Sequence, residues 1–286
     1  MFKHILIPVV PETCSEQAAL MGLDFAKRIG ARVTFACVMT KLDTTTYARG
    51  VLSTWKNHAV DKGVIGDEML LQNLDMHIGD AIAKEANHKD YDLIIMGTHA
   101  REGLNRMLLG SVTERVVRMA HIPVLVSRAQ TSADFKRILV PVDSTLNSLQ
   151  VVEYAKALAL ELPAKLHFVH VTQNIPMPFS DSFGAYGVFD AAGLSKSLEE
   201  TGKLTLHKAV EICKEFTPTT SLLHANTDQI HNVILGSAKD VHADLIVMMT
   251  HARAGMERLL LGSVSEGVVH HANVPVLLVR PSAVKS

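Results

Sequence analysis

The stretch IIMGTHAREGLNRMLLGSVTERVVRMAHIPVLVSR at residues 94–128 returns as IVMMTHARAGMERLLLGSVSEGVVHHANVPVLLVR at 246–280, identical at most positions. A chain that repeats so long a segment is built from two like units, and whatever fold one adopts the other must share. The repeat reaches the start of each half, because KHILIPVV at 3–10 matches KRILVPVD at 136–143. Halving 286 residues gives units of ordinary domain size, each able to bury its own core. The sequence places the units at 1–128 and 135–286, with the polar stretch 129–134 as linker.

Each short β-rich run is followed by a pattern of helical period. Residues 14–29 carry Ala18, Met21, Phe25 and Ile29 on one face, and 147–162 carry Val151, Ala155, Leu158 and Leu162. Both lead into further strands, ARVTFACV at 31–38 and AKLHFVHV at 164–171. Strands nearly continuous in Val, Ile and Leu, alternating with amphipathic helices, predict an α/β fold with a parallel sheet covered on both faces. The fold class is doubly wound α/β, in tandem.

The repeats lose register once. Pro8 and Val38 match Pro141 and Val171 at an offset of 133, whereas Asp92 and Gly110 match Asp244 and Gly262 at 152. Nineteen extra residues therefore lie in the second unit, within 172–200, where Pro176, Pro178, Gly184 and Gly187 mix with Phe179, Phe183, Tyr186 and Phe189. A loop of that length is expected, either lidding a pocket or packing on the other unit.

Composition excludes several classes of function. A net charge of -1 leaves no electrostatic footprint for nucleic acid or an anionic membrane. No apolar stretch reaches spanning length. Cys14, Cys37 and Cys213 form no CxxC pair, which suits reduced thiols in a cytoplasmic protein.

The Pro-Val-Asp that ends the 136–143 run, the later G-x2-G-x9-G-(S/T) pattern, and LLGSV followed by a helix and PVL together resemble the universal stress protein family. The resemblance covers nearly the whole chain. It implies a five-stranded parallel sheet of order 3-2-1-4-5 in each unit, the two related by a pseudo-two-fold, with strand five of one unit against strand five of the other. It also implies an adenine-nucleotide site, for ATP in many members, in the crevice between strands one and four. Mg2+ would enter only with a bound nucleotide. A crevice at the carboxyl ends of strands whose crossovers leave to opposite faces follows from the topology itself. Glycines there admit backbone N–H groups to phosphate oxygens, and a helix N-terminus adds a favourable dipole.

Carried over position by position, neither unit is complete. The first keeps Pro8, Val9, Val38, Gly97, Gly110 and Ser111, but Ala100 replaces a glycine and Val10 stands where the aspartate belongs. The second keeps Pro141, Asp143, Val171, Gly262 and Ser263, but Met249 and Ala252 replace both loop glycines. Alanine at positive φ costs on the order of 1 kcal/mol. Losing a carboxylate bonded to a ribose hydroxyl costs roughly 1.5 to 3 kcal/mol. Met249 is expected to intrude on the ligand's space, and the phosphate loop is less altered in the first unit. A bland reading competes: Ser111-x-x-Glu114 and Ser263-x-x-Glu266 read as capping boxes that use the same amides. Arg101, Arg106, Arg253 and Arg258 reach either phosphates or nearby carboxylates.

Catalytic machinery is thin, since neither GxxxxGK[ST] nor GxGxxG occurs. A slow ATPase is the most that phosphoryl-transfer chemistry allows here. Among fifteen histidines, His167 and His170 should face opposite sides of a strand and His270 and His271 diverge on a helix. A zinc site would need distant partners such as His231 or Asp228, and none is assigned. So many histidines predict a shift to net positive charge in acid. The expectation is a stress-response protein that binds a small-molecule ligand, forms an internal pseudo-dimer and is open to homodimerisation. A ligand-free interaction scaffold and a binder of an apolar metabolite remain alternatives.

Overall fold

The computed structural model describes residues 1–41, 44–72, 77–98, 109–127, 133–145, 148–173, 191–225, 229–250 and 261–280. The first unit runs β1 (His4–Pro8), α1 (Thr13–Ile29), β2 (Arg32–Met39), α2 (Thr45–Lys62), β3 (Gly66–Gln72), α3 (Ile78–His88), β4 (Leu93–Gly97), α4 (Ser111–Met119) and β5 (Val124–Ser127). The second runs β6 (Arg137–Pro141), α5 (Ser148–Glu161), β7 (Lys165–Gln173), α6 (Ala191–Ile212), β8 (Thr219–Ala225), α7 (Ile230–Asp240), β9 (Leu245–Met249), α8 (Ser263–His271) and β10 (Val276–Val279). A short 3-10 turn, Lys214–Phe216, precedes β8.

All ten strands form one sheet of order β3-β2-β1-β4-β5-β10-β9-β6-β7-β8. Pairing is parallel within each unit and antiparallel only at the centre, where Leu277 lies opposite Leu125. Each unit thus has the order 3-2-1-4-5, and the two join through their fifth strands. That junction covers an edge that either unit alone would leave unpaired.

Alternation along the strands assigns the two faces. Ile5 and Ile7 join the layer under α1 and α2, with Phe25 and Trp55, while Leu6 joins the layer under α3 and α4, with Ile82 and Val116. Ile138, Val140 and Leu139 of β6 divide in the same way, and both apolar layers run through both units. The buried stripe of α1 includes Ala18, Met21 and Phe25 as the period requires. Gly30 closes that helix at φ 69, a left-handed position that glycine takes without a Cβ penalty.

Contacts beyond the sheet bind the units together. Phe2 packs against Phe25 on one side and Tyr154 on the other, and Phe25 meets Phe135. Arg28 pairs with Asp134 at the end of the predicted linker. Arg280, only 9% exposed, donates to the carbonyl of Arg118 at 2.9 Å, so a cation from the second unit satisfies the carboxyl end of α4 in the first. Burial lowers its pKa to about 10.

The expected long loop at 172–200 needs correction at both ends. β7 continues through Gln173, and α6 begins at Ala191 and spans 22 residues where its counterpart α2 spans 18. Lys196, Leu198 and Lys203 continue a helical pattern that the proline- and aromatic-rich stretch before them obscured. Residues 174–190, with the four aromatics, lie outside the described residues.

Candidate functional site

In each unit the crossovers from the central strand leave to opposite faces, and a cavity opens at that point. The N-terminal cavity, between β1 and β4, encloses about 200 Å³ and is lined by Pro8, Val9, Val38, Gly97, Gly110 and Ser111, all six of the described positions singled out in the sequence. The C-terminal cavity, between β6 and β9, encloses about 280 Å³ and includes Pro141, Asp143 and Val171. Helix α8 enters it through Val264 and Ser265, one step beyond the Gly262 and Ser263 that the sequence pointed to. Ala100 and Ala252, like the loop arginines, His99 and His251, lie outside the described residues.

The same framework supports both cavities. The amide of Asp143 donates to the Ser148 hydroxyl at 2.8 Å, and the amide of Val10 donates to Ser15 at 3.0 Å. At the other wall, Thr113 donates to the carbonyl of Gly97 and Ser265 to that of Met249, each tying a helix to its strand end. None of these four hydroxyls was singled out in the sequence, although Ser15 and Ser148 recur at the repeat offset.

Asp143 is half-buried, and one of its oxygens accepts from both the amide and the hydroxyl of Thr145, at 2.9 and 2.6 Å. This Asx turn orients the carboxylate before any ligand arrives. Behind it, buried His170 on β7 bonds through Nδ1 to the carbonyl of Val142, the residue that precedes the aspartate. His167 points the other way, to Thr219 and Ser221 of β8.

The capping-box expectation is overturned. Gly110 and Gly262 themselves hold the N-cap positions, extended at ψ 145 and 150, with no side-chain cap bond. The serines therefore sit inside the first turn, one residue too late to cap. Glu114 instead pairs with Arg118, and Glu266 lies 3.9 Å from His270. The amides that the serines were to consume are left without side-chain caps, which suits an anion.

The reading of Gly97 and Met249 also changes. A Cβ at Gly97 would collide with the carbonyl oxygen of Cys14 and lie 2.7 Å from its carbonyl carbon, so this glycine serves the contact between β4 and α1. Met249 lines the C-terminal cavity without shrinking it below its counterpart. Its side chain packs partly into the layer beneath α5, which takes it out of the opening.

The helix pairs flanking the two cavities use one contact in mirrored form. Gly79 of α3 admits Arg115 of α4, and Arg115 grips Asp80 with bonds of 2.5 and 2.9 Å. In the second unit the glycine is on the opposite helix, where Gly267 of α8 admits His231 of α7. His231 stacks on His271, while His270 turns away to accept the amide of Leu109, just ahead of α4, at 3.2 Å. Among the described residues no cluster of three or more His, Cys, Asp or Glu could hold a metal.

Burial holds His4, His121, His167, His170 and His231 below the ordinary histidine pKa. With a folded pKa below the unfolded one, the unfolded chain takes up protons that the native chain refuses. Stability is then full above the unfolded value of about 6.5 and is lost as pH falls through it toward the lower folded values. The thermal midpoint is expected to fall between pH 7.5 and 5.5; a flat profile would contradict this reading.

With that geometry in place, comparison with known proteins is informative. The profile of the universal stress protein family matches residues 1–128 and again 134–280. The chain belongs to that family. A universal stress protein of Methanocaldococcus jannaschii is 31% identical over 150 residues, covering 51% of this chain and 82% of the relative. One from Mycobacterium tuberculosis is 27% identical over 193 residues, covering 67% of this chain and 62% of the relative. A solved universal stress protein from Archaeoglobus fulgidus superposes with a TM-score of 0.71 over 97% of this chain and 98% of its own, at 20% identity. At that identity it supports the fold alone. Among the described residues no helix is long and apolar enough to cross a membrane.

Proposed function

We propose that this tandem universal stress protein acts by reversibly binding an adenine nucleotide, ATP foremost, at the carboxyl ends of its central strands. The observation that carries this reading is Asp143. Its carboxylate is oriented by Thr145 in a cavity of about 280 Å³ whose walls include Val171, Ile234 and Met248, beside the start of α8. Apolar walls suit a base, an oriented carboxylate suits sugar hydroxyls, and amides without side-chain caps suit phosphate. The volume lies near the lower end of ligand pockets, roughly 300 Å³ and up, which fits a nucleoside part inside and phosphates at the rim.

The mode of action is binding. Phosphoryl transfer calls for cations arranged around the phosphates. The described walls carry one charged side chain each, Asp143 and Glu12, both carboxylates. Turnover of bound ATP is therefore slow, and the output is a ligand-dependent interaction in a stress response. The units are 1–128 and 135–286, and the protein works in the cytoplasm, alone or as a homodimer.

Titration with a fluorescent ATP analogue tests this on the intact chain and on Gly110→Trp and Gly262→Trp, which place an indole at each helix start. Saturable binding that one substitution removes is the expected result. No binding to the unsubstituted chain at millimolar analogue would leave an interaction scaffold instead.

A further inference from the structure

The two cavities share a frame but differ where a nucleoside would touch them. The repeat register sets Val10 against Asp143 and Glu12 against Thr145. Val10 is 39% exposed and presents only alkyl carbons where the other unit offers an oriented acceptor. Two residues on, Thr145 donates twice to its aspartate, whereas Glu12 lines the N-terminal cavity with a carboxylate. Glu12 occupies the N-cap position of α1, yet its side chain does not cap the helix. The opening of the smaller cavity therefore carries a negative charge that is not oriented by an Asx turn.

That charge is felt inside. Burial raises the pKa of Cys14, which lines the same cavity, and the charge of Glu12 raises it further. Both cavities hold one carboxylate, so the difference lies in position. Asp143 accepts from neutral hydroxyls, and that bond offsets its repulsion of phosphates. Glu12 provides repulsion at the opening while Val10 removes the compensating bond. Rejecting a ligand takes both a lost attraction and an added penalty.

We infer that the chain binds one nucleotide, in the C-terminal cavity, and that Val10 and Glu12 together exclude nucleotide from the N-terminal one. This deepens the proposed function and rests on it. Single occupancy makes the chain an asymmetric sensor. The occupied unit adjoins the unoccupied one through the bond from the Leu109 amide to His270, so ligation of α8 has a direct route to the loop ahead of α4.

Cys14 supplies a local reporter, because Cys37 and Cys213 are buried and Cys14 is partly exposed. The test measures two quantities on the intact chain: ATP bound per chain by equilibrium dialysis, and the rate of Cys14 alkylation by a maleimide with and without saturating ATP. One ATP per chain with no protection of Cys14 is the expected result. In the double substitution Val10→Asp with Glu12→Thr, two ATP per chain and alkylation slowed several-fold are expected, with the thermal midpoint confirming that the variant folds. Two ATP per chain in the unsubstituted protein, or protection of its Cys14, overturns the inference while leaving nucleotide binding intact. A double variant that still binds one ATP with Cys14 unprotected overturns the roles given to positions 10 and 12. Absence of any ATP binding removes the proposed function and this inference with it.

Discussion

Gly97→Val is expected to destabilise the N-terminal unit by about 3 kcal/mol, the upper part of the range for overpacked sites. The reason is the identity of the atoms in the way. A Cβ at this position meets the main-chain carbonyl of Cys14 in the first turn of α1, and main chain cannot step aside as a flexible side chain does. Relief requires α1 to move away from β4, which weakens its packing on the strand and opens the cavity between them. Gly22, by contrast, would meet only the tip of Ile7 at 2.6 Å, which a rotamer change relieves. For a chain of this size about 3 kcal/mol lowers the thermal midpoint by roughly 6 to 12 °C. Denaturant unfolding followed by circular dichroism measures it, and a midpoint within error of the parent would show that α1 and β4 are not in the contact described. The glycine's value is steric, because its φ is not in the left-handed region.

Asp143→Ala is expected to weaken ATP binding by about 10- to 150-fold, the equivalent of roughly 1.5 to 3 kcal/mol for a hydrogen bond to a charged group. A competing effect has the opposite sign, since removing a negative charge favours an anionic ligand. Its size decides the matter: two unit charges 4 Å apart in water interact by about 1 kcal/mol, and phosphates at the rim lie farther off in a solvated region. The short hydrogen bond therefore outweighs the longer repulsion, and affinity falls. Asp143→Asn, which keeps an acceptor for Thr145 but not the charge, should fall between the parent and the alanine variant. Calorimetric titration with ATP reads the effect, alongside the thermal midpoint to account for the lost Asx turn. Equal affinity in all three proteins would remove Asp143 from the binding reading.

Much of the architecture was legible because its determinants are local. The alternation of Ile5, Leu6 and Ile7 and the helical spacing of Ala18, Met21 and Phe25 depend on a few neighbouring residues, so they can be read in order along the chain. The repeat then carried each reading from one unit to the other, and family resemblance supplied the strand order later seen in the sheet. The positions around the cavities were legible too, because Pro8, Val38, Gly97 and Gly110 end or begin elements at the switch point.

What failed were readings that depend on a single step of register or on distant partners. Ser-x-x-Glu matches a capping box in letters, but the extended backbone at Gly110 and Gly262 starts each helix one residue later than that motif needs. Met249 looked obstructive because a string of letters does not say on which side of the sheet a side chain lies.

By itself, the sequence determined two like α/β units, their strand and helix pattern, and the family to which the chain belongs. Those properties follow from periodicity and repetition within the chain. Only the tertiary structure decided that Gly97 makes room for Cys14, that Gly79 and Gly267 are the same contact with its partners exchanged, and that Arg280 of one unit serves α4 of the other. Each of these depends on distances between atoms far apart in the chain, which the packing of the folded sheet and helices sets and residue order does not.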